Sequence, residues 1–319
     1  MHTQTLTLAS PFPSRFLAWL KERFPFANAL LFFILYLATA TVVRAGQTGS
    51  LEVSLRDLIG CLVTWSFFLL LRVLDEHKDY QLDCHNHPQR VLQSGLISLR
   101  HLKVAGVLAV LAQGLWSLWL DQGIGQVTLA WVALLAWTGL MAKEFFIHDW
   151  LNRHLTWYAV SHMLVMPLVV WWLANLAAPG CTLSLELQAM MALAFVSGFC
   201  FEITRKTKGP EEERDSIESY SRIFGTRSSA VLVVVLVSLM LLNQLWLLRL
   251  LVNGWPVWAV LVLVAAYALA LRQLFAFIRT PSAALRGKNE ALVALTMLAG
   301  YAVLIATVAL DHGLSLYLI

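Results

Sequence analysis

Nine long runs of apolar residues alternate with short polar segments along the chain, and this pattern constrains the fold more than any other feature. Each run is close to the roughly 20 residues that a helix needs to cross a hydrocarbon core of about 30 Å. Hydrophobic residues make up 59% of the chain and charged residues only 13%, unlike a water-soluble domain. The sequence therefore predicts an all-α integral membrane protein with nine transmembrane helices in a single polytopic domain, residues 1–319. The runs lie near residues 27–43, 57–74, 102–120, 124–142, 155–177, 184–201, 228–248, 255–278 and 290–310.

The basic residues fall on alternate sides of this predicted bundle. Of the 23 Lys and Arg residues, all but Arg44, Arg56 and Arg249 lie in the N-terminal segment or in segments 72–103, 142–154, 202–227 and 272–288. Because positively charged loops stay in the cytoplasm, we expect a protein of the cell's inner membrane with a cytoplasmic N-terminus, an outside C-terminus and the first helix kept as an anchor. These loops face anionic lipid, so a pI of about 8.9 requires no nucleic-acid partner.

Four carboxylates stand close together at the end of the second apolar run, in the stretch "DEHKDYQLD". They are Asp75, Glu76, Asp79 and Asp83. If the helix continues to Cys84, a rotation of about 100° per residue places all four on one face. Crowded carboxylates raise each other's pKa unless a cation relieves the repulsion, and Mg²⁺ is usually held by one or two carboxylates together with substrate phosphates. The row predicts a Mg²⁺-diphosphate site. The alternative is a solvated helix end whose acids pair with Arg72, Lys78 and Arg90.

The same stretch resembles the first Asp-rich motif of the UbiA family of intramembrane prenyltransferases, usually Asn-Asp-x-x-Asp-x-x-x-Asp. Asp75 stands at the Asn position, and Glu76, Asp79 and Asp83 stand at the three Asp positions. The following "HPQRVLQSGLIS" resembles the family's Arg-Pro-x-Arg-Pro-x-x-Ser-Gly-x-Ile-Ser, with Pro88, Arg90, Ser94, Gly95, Ile97 and Ser98 in register. The resemblance implies nine helices around a central cavity, with acidic cytoplasmic loops near 72–103 and 202–227.

The loop after the sixth run departs from the family's second motif, an Asp-x-x-x-Asp ahead of a Gly like Gly225. Glu212 stands at one Asp position and Lys208 at the other. Glu211 and Asp215 are four residues apart and would share a helical face as substitute metal ligands. An ordinary helix start explains "GPEEERD" equally well, since Pro and acids are favoured in a first turn. Both interpretations of Glu211, Glu212 and Asp215 stay open.

The resemblance implies a Mg²⁺-dependent enzyme that moves a prenyl group from a polyprenyl diphosphate to an aromatic or other lipophilic acceptor within the membrane lipid. It assigns catalysis to Asp75, Glu76, Asp79 and Asp83, and metal binding to Asp75, Asp79 and Asp83. Basic side chains near both acidic loops would stabilise the departing diphosphate; these are Arg72, Lys78, Arg90, Arg205, Lys206 and Lys208. Each base taken alone is also an ordinary cytoplasmic loop residue. A non-catalytic lipid-diphosphate binder or a permease on the same scaffold is the alternative function.

Acceptor recognition is expected from the 142–154 loop, where the family often places it. The candidates there are Lys143, Glu144, His148 and Arg153, with ordinary loop surface as the alternative. His162 is a further candidate, because an ionisable residue within a span is a functional hypothesis by default. A neutral His162 bonded to a helix neighbour such as Ser161 explains the residue equally well. The sequence does not indicate the acceptor's identity, the prenyl chain length or the oligomeric state.

Overall fold

The computed structural model describes residues 6–48, 51–214 and 219–316, and this part of the chain is almost wholly helical. The helices are α1 Phe12–Arg23, α2 Ala29–Thr48, α3 Leu55–Lys78, α4 Tyr80–Asn86, α5 Leu99–Asp121, α6 Gln126–Ala142, α7 His148–Arg153, α8 Leu155–Met163, α9 Val165–Ala177, α10 Leu185–Arg205, α11 Tyr220–Phe224, α12 Thr226–Leu251, α13 Val257–Arg279 and α14 Ala283–His312. Two short strands, β1 Leu51–Val53 and β2 Leu314–Leu316, pair in parallel. Single 3₁₀ turns cover Phe26–Asn28, Glu144–Phe146 and Pro210–Glu212.

Eight helices of the described part are long and apolar enough to cross a membrane. Seven of them are α2, α3, α5, α10, α12, α13 and α14, and the eighth is made by α8 and α9 together. The fourth predicted run forms α6, which is apolar but lies among the shorter helices of 10–17 residues. The all-α membrane fold is therefore confirmed, with a helix at each predicted run, although eight of these helices rather than nine reach full spanning length.

The helices pack through closely fitted side chains, as expected where lipid removes most of the hydrophobic driving force between them. Fully buried residues such as Trp172, Leu193 and Val237 form the centre of the bundle. Gly60 on α3 lies so close to Tyr36 on α2 that an added Cβ would come within 2.3 Å of the Tyr36 ring. A small residue at position 60 thus sets the distance between these two helices.

A buried ion pair closes the end of the bundle where α2 and α9 finish and α3 begins. Arg44 donates to both carboxylate oxygens of Asp57, at 2.7 and 3.1 Å, and the Tyr36 hydroxyl donates to the same carboxylate at 2.9 Å. Arg44 also donates to the carbonyl of Ala177 at 3.0 Å. The Asp57 side chain is only 3% exposed, so these contacts fix α2, α3 and α9 to one another at this end.

The opposite end differs from the sequence prediction, because the second run does not continue as one helix to Cys84. α3 ends at Lys78, and Asp79, with φ −92° and ψ 4°, joins it to α4. The hydrogen bonds Asp79 N–H to Asp75 O and Asp83 N–H to Asp79 O persist at 2.8 Å, so the chain turns at Asp79 without opening into a loop. The prediction of one uninterrupted helix to Cys84 is therefore wrong, and Asp83 lies on a short helix separate from the one that carries Asp75 and Glu76.

Helix α1 packs across this end, against α3 and the segment 87–98. Its fully buried Trp19 joins an apolar cluster with Val73, Leu92 and Ile97. Arg15 Nη1 donates to the carbonyl of Leu96 at 2.8 Å. The carboxylate of Glu22 accepts the N–H of Val91 at 2.9 Å. The helix near the N-terminus therefore holds in place the segment that follows the first acidic motif.

Candidate active site

The first acidic motif is divided into two pairs of carboxylates. Glu76 is fully buried and accepts from Arg23 Nε of α1 at 2.5 Å. Asp83 accepts from the same guanidinium at 3.4 Å and from Arg90 Nη1 at 2.8 Å. Asp75 and Asp79 are both exposed, and the nearest base to Asp75 is Arg72 at 3.7 Å. Arg23 therefore neutralises one pair, while the other pair faces open space at the end of α3.

Tyr158 on α8 brings the ends of α3 and α10 together. Lys78 Nζ donates to the Tyr158 hydroxyl at 2.7 Å and lies 5.1 Å from the centre of its ring. Lys206 Nζ lies 5.4 Å from the same centre, and cations within about 6 Å of a ring face are attracted to it. His162 stacks on Tyr158 with ring centres 3.9 Å apart. Three predicted site residues thus surround one aromatic ring.

Glu202, one turn before the end of α10, orients the neighbouring bases. Its carboxylate contacts Arg205 Nη2 at 2.8 Å and Lys206 Nζ at 2.9 Å. Arg205 also interacts electrostatically with Asp75 of α3 and Glu290 of α14. The ends of α3, α8, α10 and α14 therefore line a single polar opening, which we call the mouth; its residues are Arg72, Asp75, Lys78, Asp79, Tyr158, His162, Glu202, Arg205, Lys206, Arg286 and Glu290.

The 142–154 loop contributes a buried carboxylate at the edge of the mouth. Glu144, with a side chain only 5% exposed, contacts Lys78 Nζ through one oxygen and His148 Nδ1 through the other. Glu144, Phe145 and Phe146 have φ of 47°, 53° and 59°. Side chains other than Gly rarely adopt this left-handed region, so the contacts of Glu144 must compensate for the strain of the turn.

Of the other acceptor candidates, Lys143 and Arg153 lie outside these contacts, whereas His162 belongs to the mouth. Lys143 is exposed at the end of α6. Arg153 Nε donates to the carbonyl of Asp149 within its own helix, at 2.9 Å. His162 Nδ1 contacts the carbonyl of Tyr158 at 2.8 Å, so the bonded histidine considered from the sequence is present, with Tyr158 rather than Ser161 as its main partner. The roles of all five candidates in binding an acceptor stay predictions.

The acids of the second loop contact the start of α14. Glu211 accepts the backbone N–H of Ala283, and this hydrogen bond lowers the pKa of the Glu211 carboxyl below its ordinary value. Glu212 contacts Arg286 Nε at 3.0 Å. These contacts favour the interpretation of an ordinary structural turn over a metal site. The Lys208 N–H donates to Ser221 Oγ at 2.8 Å. Asp215 lies outside the described residues.

Mg²⁺ fits the first motif better than the second loop. Asp75 and Asp79 are exposed oxygen ligands one helical turn apart, which is the donor set that Mg²⁺ takes when phosphates complete its coordination. The second-loop acids are occupied by Arg286 and backbone N–H groups. Among the described residues no three metal-ligating side chains cluster, so a bound diphosphate would have to supply further oxygens.

An apolar cavity of about 350 Å³ lies within the bundle, between α2, α3, α9, α10 and α14. Phe68, Phe201 and Ala294 line it, and each lies four residues from a mouth residue of its own helix: Arg72, Arg205 and Glu290, respectively. Residues four apart share a helix face, so the top of the cavity lies about one helical turn from the mouth. A larger hollow of about 590 Å³ between α3 and α5 is lined by none of the acids of either motif.

The fold and the site define a class of integral membrane proteins in which charged helix ends lie next to an apolar cavity within the bundle. The model of the UbiA prenyltransferase family matches residues 30–288, more than half of the chain. The protein belongs to the UbiA prenyltransferase family.

Similarity to known proteins beyond the family is distant. One similar solved structure comes from work on the biosynthesis of digeranylgeranylglyceryl phosphate synthase in membranes. It has a TM-score of 0.65 and 15% sequence identity, and the match covers 92% of this chain and 99% of that chain. At this identity the likeness shows the fold alone. No curated protein sequence matches the chain.

Five residues of the site were not predicted from the sequence, namely Arg23, Tyr158, Glu202, Arg286 and Glu290. Tyr158 precedes His162 by four residues, so helical spacing places the two side chains on the same face. This spacing would have identified Tyr158 as a candidate. Arg286 stands four residues before Glu290, and this helical spacing would likewise have indicated that the two side chains pair. Arg23 comes from a helix that is distant in sequence from the motif, and no local pattern connects it to Glu76.

Proposed function

We propose that the protein transfers a prenyl group from a prenyl diphosphate to a lipophilic acceptor within the membrane, with Mg²⁺ held by Asp75 and Asp79. The observation that carries this proposal is an apolar cavity that lies one helical turn from the charged mouth, on the same helices. A prenyl diphosphate has the same two parts, an anionic head and an apolar tail. Asp83 is a weaker candidate ligand, since Arg90 and Arg23 already contact its carboxylate.

The fixed charges of the mouth explain why a metal ion is expected. Nearly every base there already faces an acid: Lys78 faces Glu144, and Lys206 faces Glu202. A mouth with balanced charges attracts a diphosphate only weakly. When bound, Mg²⁺ supplies the additional positive charge that stabilises the departing diphosphate oxygens.

The chain's own residues position the head group and protect the reactive tail. Lys78 and Lys206, held by their carboxylate partners and by Tyr158, contribute ammonium groups toward the diphosphate. As the C–O bond breaks, its electron pair leaves with the diphosphate, and the prenyl carbon becomes cationic. Phe68 and Phe201 at the top of the cavity present aromatic surface that attracts this cation, and the apolar walls exclude water.

The acceptor completes the reaction by forming a bond to the prenyl carbon and losing a proton. His162 is our candidate for receiving that proton, because it stacks beside Tyr158 at the mouth. His148 on Glu144 is the second candidate. We further propose that the mouth faces the cytoplasm, as the distribution of basic residues predicts.

A permease on the same scaffold is disfavoured by the closed far end of the bundle. A transporter needs a route through the protein, whereas the cavity ends at Leu35, Ala194 and Tyr301, and the Arg44–Asp57 pair ties the helices beyond it. A non-catalytic binder shares the whole site and differs in forming no product.

The experiment incubates the detergent-purified protein with farnesyl diphosphate, Mg²⁺ or EDTA, and a panel of lipophilic phenols, and measures diphosphate release. We expect Mg²⁺-dependent release that falls at least a hundredfold in Asp79→Asn. Glu212→Gln is the matched control and should change release less than threefold. Mg²⁺-dependent donor binding without release for any acceptor would favour the non-catalytic binder, and release unaffected by Asp79→Asn would contradict the proposed site.

A further inference from the structure

The apolar cavity has a defined depth, which three helices measure independently. Its lining runs from Asn28, at the end of the 3₁₀ turn before α2, to Leu35 on α2, from Phe201 to Ala194 on α10, and from Ala294 to Tyr301 on α14. Each stretch advances seven residues, or about 10 Å at 1.5 Å per residue. The agreement between the three helices indicates one common floor.

Leu35, Ala194 and Tyr301 form that floor, and each is at most 4% exposed. The next turn of α2 beyond Leu35 carries the fully buried Thr39. Beside Tyr301, Gly300 packs so closely on Gln244 of α12 that an added Cβ would lie 2.0 Å from the Gln244 amide nitrogen. The lining of the cavity thus ends at Leu35, Ala194 and Tyr301, which are buried among packed helices.

The depth converts into a number of isoprenoid units. An extended chain advances about 1.2 Å per bond, since a residue with three main-chain bonds spans about 3.6 Å. One isoprenoid unit has four main-chain bonds and so spans about 5 Å by the same measure. A depth of about 10 Å encloses two units, and a third reaches up into the mouth.

We propose that the protein selects a short prenyl donor, of two or three isoprenoid units, and that Tyr301 and Ala194 set this limit. The inference rests on the proposed function, because it concerns the tail of the same donor. A donor with four units either bends back toward the mouth or leaves between helices, and in both cases it loses the close packing that the cavity walls provide.

The test measures binding of unreactive S-thiolodiphosphates of two, three and four isoprenoid units, by competition with radiolabelled farnesyl S-thiolodiphosphate in the presence of Mg²⁺. Concentrations are compared as mole fractions in the detergent, so that partitioning into micelles does not imitate selectivity. We expect the two- and three-unit compounds to bind at least tenfold more tightly than the four-unit compound. Inorganic pyrophosphate reports binding of the head group alone.

Two floor variants move the limit in opposite directions. Tyr301→Ala deepens the cavity and should improve binding of the four-unit compound at least tenfold relative to the two-unit compound. Ala194→Leu raises the floor and should weaken binding of the three-unit compound without weakening binding of the two-unit compound. This second variant still tests the limit if Tyr301→Ala fails to fold. Tyr267→Ala, on α13 outside the cavity lining, is the matched control and should leave the preference unchanged.

The outcomes separate this inference from the proposed function. The chain-length limit alone is overturned if all three compounds show Mg²⁺-dependent binding without the tenfold preference. It is also overturned if the preference exists but neither floor variant shifts it. Failure of pyrophosphate and of every prenyl compound to show Mg²⁺-dependent binding overturns the proposed function and the inference with it.

Discussion

The contact between Arg23 and Glu76 gives the sharpest prediction about how the site is built. Glu76 is 0% exposed, and Arg23, at 19% exposed, is its charged partner from α1. Arg23→Ala would leave a buried carboxylate without a counter-charge. Breaking a buried ion pair by removing one partner costs about 3–5 kcal/mol, and we expect about 3 kcal/mol here because Arg23 retains partial contact with solvent.

The assay is reversible unfolding of the purified protein by SDS in mixed micelles, followed by tryptophan fluorescence. Glu76→Gln removes the charge but keeps the shape, so the double variant Arg23→Ala with Glu76→Gln should recover more than half of the stability lost in Arg23→Ala. Arg15→Ala is the matched control on the same helix, since Arg15 makes a single hydrogen bond to a backbone carbonyl and its loss should cost about 1 kcal/mol.

Additivity of the two substitutions would refute this reasoning, because it would mean that Arg23 and Glu76 do not stabilise each other. The same variants also separate a structural role from metal binding. Glu76→Gln should leave the Mg²⁺ concentration needed for half-maximal donor binding within threefold of the wild type. A tenfold shift would return Glu76 to the ligand role that the family motif implies.

Three further predictions concern the second loop, the helix packing and the metal site. Glu211 has a lowered pKa, so the stability it contributes is present above its unfolded pKa and is lost as pH falls through the folded value; the melting difference between wild type and Glu211→Gln should be largest above the unfolded pKa and disappear as the pH is lowered through the folded pKa. Gly60→Ala should lower stability by about 1–3 kcal/mol in the same SDS titration, because the added Cβ overlaps an aromatic ring, whereas Gly139→Ala in open space should not. Asp79→Asn should raise the Mg²⁺ concentration for half-maximal donor binding at least tenfold; equal titration curves would contradict Mg²⁺ binding by this residue.

The fold was largely predictable because a bilayer leaves few choices to an apolar chain. Each apolar run must satisfy its backbone hydrogen bonds internally, so the length and apolar composition of a run are enough to predict a helix there. The turn at Asp79 was not predictable in this way, since no Gly or Pro marks it. It depends on packing between α1, α4 and the segment 87–98.

Candidate site residues could be predicted where a local sequence motif contains them. Contacts between helices that are distant in sequence could not be predicted. Asp75, Lys78 and Lys206 were chosen from their own loops, and the structure places them at one mouth. The pairing of Glu76 with Arg23 depends on the docking of α1, which spacing along the chain does not reveal. Glu212 illustrates the converse, since its place in the motif suggested a metal ligand and its contact is Arg286.

The most direct test of the central claim is equilibrium binding of farnesyl S-thiolodiphosphate to the detergent-purified protein, with Mg²⁺ or with EDTA, in the wild type and in Asp79→Asn. We predict binding that is at least tenfold tighter with Mg²⁺ in the wild type and that loses this dependence in Asp79→Asn. Binding that ignores both Mg²⁺ and the substitution would contradict a Mg²⁺-assisted diphosphate site at the end of α3.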